Sequence, residues 1–455
     1  MSEYEVSNAA RAMYLFADIP QRLHDFLVVS RNQWKARAEL EKEQFKRLKA
    51  MVSFAYNSIP YYHKRFRAAN IKPCDLKTYD DMQKIPITTK QDIQKHYQDL
   101  LFSKAYPKGG KVQRTSGSTG MPLRVVLDRR TKIYVEALKQ YVYKVYGLQL
   151  RDKLVIVVGE KILRSKLGPL NSLLFRHNLN CVPLNHSRRT AIEYSQALAE
   201  VLRALSPDAL SSMPWVLHDL CKVDTSGITP RFTFSRQQVL TDDVRRVIEQ
   251  VLETEVLDTY GSTEFEVLGF ECPEHTGMHI LTDAVYVEYL KNGEPVAPKE
   301  SGEVVVTGLS NRAMPLIRYK LGDIAEVSDE RCPCGRGWPL IKSILGRSNE
   351  NLILPSGTIL DPHRINHWLA ETTKKNIWCF SQYQIVQEKP DHIVLRFVKG
   401  REFNPKAVEE IRHRAQQNCR CEDIAITTEI VDDIIQDRPG KRRIIIPYNH
   451  SRTQN

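Results

Sequence analysis

Between residues 150 and 260, short apolar runs alternate with helical patterns, and this alternation limits the fold more than any other feature of the chain. The run Leu154–Val158 is uninterrupted and ends at Gly159, which is typical of a strand buried on both faces. The strand-like segments are residues 154–158, 208–213 and 255–260, and the helical ones are 191–205 and 244–252, the last with Thr241 as its predicted N-cap. Such alternation predicts βαβ units and a mostly parallel sheet.

After residue 285 the pattern changes to strands joined by hairpin turns. Asn292-Gly293 separates two strand-like runs, and this dipeptide favours a two-residue hairpin turn. The last segment has a strand-like run at 393–398, a helical pattern at 405–416 and a final apolar run at 444–447. We therefore predict an α/β protein in which residues 347–455 form a small α+β C-terminal domain.

A loop of small and hydroxyl-bearing residues, TSGSTG, follows residue 114. Its members are Thr115, Ser116, Gly117, Ser118, Thr119 and Gly120. Two glycines let backbone N–H groups approach an anion closely, and the hydroxyls can donate to phosphate oxygens. The loop is neither a Walker A motif nor GxGxxG, because the required Gly-Lys-Ser/Thr and glycine spacings are missing. Alone, such a loop is more often a surface turn.

Three further segments follow in order: DTYGSTE at 258–264, MPLIRYKLGD at 314–323 and ILGRS at 344–348. With TSGSTG they resemble the signature segments of adenylate-forming enzymes, which include acyl- and aryl-CoA synthetases, peptide-synthetase adenylation domains and luciferases. The stretch FAYNSIPYYHKRFRAANIKP, with the later IPITTKQDI, resembles the opening of the phenylacetate–coenzyme A ligase branch and its capsular-polysaccharide relatives. The resemblance extends from about residue 40 to Ile446.

This resemblance implies a fold and a reaction. The fold is a large N-terminal domain, residues 1–346, of mixed sheets with helices and a β-rich segment at about 270–340, followed by a small mobile domain at 347–455. The reaction joins a carboxylate to the α-phosphate of ATP, expels pyrophosphate and then transfers the acyl group, with coenzyme A as the leading acceptor. Such a site must neutralise the charge of the triphosphate and of the transition state.

The resemblance also implies roles for individual residues. TSGSTG would hold the β- and γ-phosphates, Thr263 the α-phosphate and Glu264 a Mg²⁺ ion, for which a carboxylate oxygen is a suitable ligand. The remaining implied contacts are Tyr260 and Gly261 at the adenine, Asp323 at the ribose hydroxyls, Arg347 at the ribose or phosphate, and Lys441 between the carboxylate and the α-phosphate. Trp215 and His218 are candidates for the acid pocket, and Arg318 is expected to form a structural ion pair.

Cysteine spacing is a second signal. Cys332-Pro-Cys334 is a compact turn whose thiolates can reach one metal ion, and an earlier loop offers Cys272 with either His279 or His275. The Gly-x-His pattern favours His279, and members of the branch hold a structural zinc with a similar arrangement. Unliganded buried thiols are the alternative. The nine cysteines are odd in number and scattered, which predicts a cytoplasmic protein with reduced thiols.

The formal charge of +12 comes without a block of consecutive basic residues, so we predict no nucleic-acid arm. No apolar stretch is long enough to span a membrane. The partners that the resemblance implies are ATP, a small carboxylic acid and coenzyme A, and a homodimer is left open.

The chain departs from the branch at Arg236-Gln237, beside the expected adenine pocket, and at Asn349-Glu350, in the expected hinge. These departures keep a non-catalytic nucleotide-binding relative open as an alternative. Within the ligase class, the alternatives to coenzyme A transfer are amide formation on an amine or amino sugar and release of an adenylylated product.

Overall fold

The computed structural model describes residues 8–102, 110–114, 123–149, 152–159, 180–184, 191–360, 362, 365, 368, 369, 379–419, 424–434 and 443–448. They fall into two compact units, which are described separately. The first unit contains the described residues up to Leu150 and from Leu257 to Ile344, and the second contains those from Arg151 to Val256 and from Leu345 onward. The TSGSTG loop and Lys441 lie outside the described residues.

The first unit begins with helices and ends in antiparallel sheet. Its helices are α1 (Asn8–Asn32), α2 (Arg37–Ser58), α3 (Pro60–Ala68), α4 (Lys90–Lys95) and α5 (Arg129–Val145). The hairpin β1 (Lys111–Arg114) and β2 (Arg124–Leu127) precedes α5. The later strands are β7 (Glu255–Tyr260), β8 (Gly269–Glu271), β9 (Met278–Ile280), β10 (Val285–Lys291), β11 (Glu294–Pro295), β12 (Ser301–Gly308), β13 (Tyr319–Val327) and β14 (Leu340–Arg347).

These later strands lie in the order β11-β10-β12-β13-β14-β9-β8-β7. The predicted turn joins β10 to β11, and both Asn292 and Gly293 have positive φ (55° and 91°), as a type I′ turn requires. β12 pairs with both β10 and β13 antiparallel, so its valines are fully buried in the middle of the sheet. This sheet carries the segments around Glu264 and Asp323.

The second unit contains the predicted βαβ alternation. Its elements are β3 (Leu154–Gly159), β4 (Asn180–Leu184), α6 (Ala191–Leu205), β5 (Ala209–Ser212), α7 (Pro214–Leu220), β6 (Phe232–Arg236) and α8 (Asp242–Leu252). The strands lie in the order β6-β5-β3-β4, and all their pairs are parallel. Thr241 is the N-cap residue of α8, although its side chain makes no capping hydrogen bond. Apolar residues from these strands and helices pack together in one buried core.

The C-terminal segment of the second unit forms its own small sheet. Its elements are β15 (Leu352–Ile353), β16 (Ile359–Leu360), β17 (Phe380–Lys389), β18 (His392–Lys399), α9 (Pro405–Asn418), β19 (Ala425–Ile430) and β20 (Ile445–Ile446). The order β19-β18-β17-β20 mixes parallel and antiparallel pairs, and α9 packs its apolar face on the sheet around the fully buried Trp368.

The predicted α/β class, with mixed sheets and a small C-terminal α+β segment, is confirmed. The domain boundary at 346/347 stays a prediction. Among the helices that the structure describes, none combines the length and the apolar character that a membrane crossing needs.

Candidate active site and metal centre

The loop that carries Glu264 is a closed turn between β7 and β8. The N–H of Glu266 donates to the carbonyl of Ser262 at 2.8 Å, and the N–H of Phe265 donates to the Ser262 hydroxyl at 3.2 Å. A Cβ at Gly261 would lie 2.1 Å from the carbonyl oxygen of Glu266, so only glycine fits there. The turn itself therefore fixes the backbone positions of Gly261, Thr263 and Glu264.

A tyrosine holds the Glu264 carboxylate. The Tyr319 hydroxyl donates to Glu264 Oε1 at 3.0 Å, and the Tyr319 side chain is only 2% exposed. The backbone on either side of Tyr319 is fixed because Thr88 accepts from Lys320 and donates to Arg318, at 2.9 and 2.8 Å. Glu264 itself is half-buried, so Tyr319 orients its carboxylate while part of the residue stays open to solvent.

Two buried side chains of the expected nucleotide site contact each other directly. The Tyr260 hydroxyl donates to Asp323 Oδ2 at 2.9 Å, and both residues are less than a tenth exposed. Gly322, with φ of 88°, bends β13 immediately before Asp323. The hydrogen bond orients a carboxylate that the resemblance assigns to the ribose hydroxyls.

Glu266 is a further acidic residue in this loop that the sequence reasoning missed. Its carboxylate accepts from Lys139 on α5 at 2.7 Å and from Lys111 on β1 at 2.9 Å, and Gln113 makes a short bond to the same group. Burial by itself would raise the pKa of Glu266, but the charges of Lys139 and Lys111 outweigh burial and lower it to about 2. No sequence signal links these residues, because they are far apart along the chain.

Arg318 forms a buried structural ion pair, as predicted. Its guanidinium bonds Glu288 through Nε at 3.0 Å and Nη2 at 2.9 Å, while Nη1 donates to the carbonyls of Gln83 and Ile85. Both charged side chains are almost fully buried. Arg318 therefore supports the fold beside Tyr319, and its donors are occupied within the protein.

The four predicted metal ligands lie together. The ligand atoms of Cys272, His279, Cys332 and Cys334 are all within 4.8 Å of one another. Cys272 Sγ is 3.5 Å from Cys332 Sγ, and Cys334 Sγ is 3.3 Å from His279 Nε2. Ligands at about 2.0–2.3 Å from a tetrahedral zinc are separated by roughly 3.3–3.8 Å, so this set fits that ion.

The electrostatics of the cluster agree with metal binding. Burial and the nearby Arg336 charge lower the pKa of His279 to about 4, so the imidazole is neutral at neutral pH, as a metal ligand must be. His275, the alternative ligand, instead pairs with Glu271 at 3.1 Å. The geometry therefore favours His279.

Comparison with known proteins gives consistent matches. A family profile described as the CapK C-terminal domain matches residues 352–448. A phenylacetate-coenzyme A ligase from Aromatoleum evansii is 28% identical over 81% of this chain and 83% of its own length. Protein CapK from Staphylococcus aureus is 25% identical over 69% of each chain.

The chain is therefore similar to phenylacetate–coenzyme A ligases over most of its length and to CapK, with a CapK-type profile at its C-terminal end. The resemblance inferred from the signature segments is thus confirmed. Among solved structures, a 2-hydroxyisobutyryl-CoA ligase with a bound acyl-adenylate has the same fold, with a TM-score of 0.76 over 93% of this chain and 92% of its own, at 20% identity.

The second unit contains three of the remaining candidate residues, namely Arg347, Trp215 and His218. Arg347 is exposed at the end of β14, directly after Gly346, whose φ is 135°. Trp215 on α7 is 8% exposed within the apolar core, and His218 is half-buried on the same helix. Their roles stay predictions.

One departure from the branch has a structural consequence. Arg236 ends β6 and donates through Nη2 to the carbonyl of Val157 on β3 at 3.2 Å, and Gln237 follows with a positive φ of 71°. The guanidinium therefore bridges the carboxyl ends of two parallel strands, the edge at which α/β sheets commonly bind ligands.

Proposed function

We propose that this chain is a cytoplasmic, ATP-dependent acid–thiol ligase that activates a small carboxylic acid and transfers it to coenzyme A. The observation that carries the proposal is the match to phenylacetate-coenzyme A ligases over most of both chains. The close grouping of Tyr260, Glu264 and Asp323 in one unit supports it.

The reaction has two steps. A carboxylate oxygen of the acid attacks the α-phosphorus of ATP, the bond from that phosphorus to the bridging oxygen breaks, and pyrophosphate leaves. The thiolate of coenzyme A then attacks the acyl carbonyl and AMP leaves. Mg²⁺, when bound, would neutralise part of the phosphate charge.

In this proposal Glu264 holds Mg²⁺, Thr263 binds the α-phosphate, and Asp323 accepts from the ribose hydroxyls while Tyr260 lies against the adenine. Tyr319 keeps the Glu264 carboxylate in place through its 3.0 Å bond. The side chains proposed from the branch signatures alone are those of the 115–120 loop, Arg347 and Lys441, together with Trp215 and His218 at the acid.

We also propose that Cys272, His279, Cys332 and Cys334 hold a structural zinc ion. The supporting observation is a set of four buried or half-buried N and S donors whose atoms are already within 4.8 Å of one another. A closed Cys₃His set leaves no coordination position for a substrate, so this metal would stabilise the β-rich segment.

A second acceptor stays open. The C-terminal residues 352–448 match the CapK profile and CapK itself is a relative, and neither name specifies coenzyme A as an acceptor. We keep amide formation on an amine or amino sugar as the alternative to thioester formation. The residues 347–455 would act as a small mobile domain in either case.

Pyrophosphate release in the presence of ATP, Mg²⁺ and a panel of carboxylic acids tests the proposal, with coenzyme A, hexosamines or no acceptor in parallel. We expect release with at least one acid and a product mass that contains coenzyme A. Folded protein that releases no pyrophosphate with any acid would favour a non-catalytic relative.

Lys441→Ala separates the two steps. We expect it to abolish pyrophosphate release while a supplied acyl-adenylate still reacts with coenzyme A, because the ammonium is assigned to the first step. Equal losses in both steps would contradict that assignment.

A further inference from the structure

Glu266 connects three segments that are remote in sequence. Its carboxylate accepts from Lys111 and Gln113 on β1 and from Lys139 on α5, while its backbone closes the loop that carries Glu264. The Glu266 side chain is only 15% exposed. One largely buried carboxylate thus joins the hairpin, the helix and the Glu264 loop.

The backbone at Glu266 is held in an unusual conformation. Its φ is 64°, in the left-handed region that non-glycine residues seldom occupy. The bond from its N–H to Ser262 and the close approach of its carbonyl to Gly261 keep it there. Because the turn is closed, a displacement of Glu266 also displaces Glu264, two residues earlier.

The hairpin side of the contact is equally specific. Lys111 and Gln113 are two residues apart on β1, so they project from the same face of the strand. Strand β1 pairs antiparallel with β2 from Lys111↔Leu127 to Arg114↔Arg124. In sequence, the segment between these strands contains the predicted phosphate-binding residues 115–120.

We propose that Glu266 is a positioning residue for the triphosphate. It holds the hairpin that leads into the phosphate-binding segment against the loop that carries the metal-binding carboxylate. This inference rests on the proposed function. If ATP is bound jointly by the Glu264 loop and the residues that follow β1, a protein in which β1 is already fixed against that loop spends less binding energy on ordering the site.

Glu266→Gln is the direct test, because the amide keeps the size of the side chain and removes its charge. Calorimetric titration with MgATP and with AMP separates the two ends of the nucleotide. We expect the MgATP dissociation constant to rise about tenfold, whereas the AMP value changes less than about twofold. A general loss of structure would weaken the binding of both MgATP and AMP. A thermal unfolding curve checks that the variant is folded.

A second variant keeps the test valid if Glu266→Gln does not fold. Lys111→Met removes one of the bonds between the hairpin and Glu266, at a lysine whose side chain is 45% exposed. Lys139 remains to neutralise the Glu266 carboxylate. We expect the MgATP dissociation constant to rise about threefold with unchanged AMP binding. The matched control is Glu136→Gln, which removes the other carboxylate near Lys139, at 3.3 Å on the same helix, and should leave both ligands unaffected.

The outcomes distinguish the two proposals. Wild-type protein that binds no MgATP would overturn the proposed function together with this role of Glu266. Wild-type binding with unchanged MgATP affinity in folded Glu266→Gln and Lys111→Met would overturn the positioning role alone, as would an equal loss of MgATP and AMP affinity.

Discussion

Replacement of Arg318 by methionine should destabilise the first unit strongly. The change leaves Glu288 charged, almost fully buried and without its bidentate partner, and it removes the donor to the carbonyls of Gln83 and Ile85. The free energy of unfolding is a small difference between large terms, so the cost of one uncompensated buried charge is a large fraction of it.

The structure sets the expected magnitude. Removing one partner of a buried ion pair costs about 3–5 kcal/mol, since the desolvation of the remaining charge is no longer offset. Arg37→Met is the matched control: its pair with Glu41 is about half exposed on both sides, so the same substitution should cost only about 0.5 kcal/mol. The double variant Arg318→Met with Glu288→Met should be more stable than Arg318→Met alone, because no buried charge remains.

Urea unfolding followed by circular dichroism measures these free energies. The pH dependence adds an independent check. Burial raises the pKa of Glu288 and Arg318 partly offsets this, so without Arg318 the pKa rises further. Because the pKa of Glu288 is raised in the folded state, the loss of stability caused by its buried charge is complete above that folded-state pKa. The loss shrinks as the pH falls toward the ordinary carboxyl pKa of 4.5.

The deficit of Arg318→Met should therefore be larger at about pH 8 than at about pH 5. A loss below about 1 kcal/mol, or an equal loss at both pH values, would refute the charge-burial argument.

Three further outcomes follow from the site. Tyr260→Phe removes the donor to Asp323 and should raise the AMP dissociation constant about fivefold, corresponding to about 1 kcal/mol, in a calorimetric titration. We expect mass spectrometry to find about one equivalent of zinc in the wild type and in Cys221→Ser, which changes a buried thiol outside the cluster, and none in Cys334→Ser. The stability advantage of wild type over Glu266→Gln should be constant above pH 4.5 and should disappear as pH falls toward about 2, because the folded state lowers this pKa; urea titrations at acid pH measure it.

The fold was predictable where the signal is local. Helix 191–205 and strand 255–260 have the predicted bounds, because apolar spacing within one element reports the face that the element buries. The turn at Asn292-Gly293 was predictable for the same reason: two residues that tolerate positive φ specify it. The order of the strands in each sheet depends instead on contacts between distant segments, which single-element patterns do not contain.

The candidate site likewise has features that local motifs predict and features that depend on contacts between distant segments. The sequence by itself determined the family resemblance, the loop that carries Glu264 and the four N and S donors, because each motif depends on residue types within a few positions of one another. The tertiary structure decided which groups hold those residues: Tyr319 bonds Glu264 across 55 positions, and Lys111 bonds Glu266 across 155. Such contacts depend on strand register and on the depth of burial, where a partner stabilises a charge that water no longer solvates.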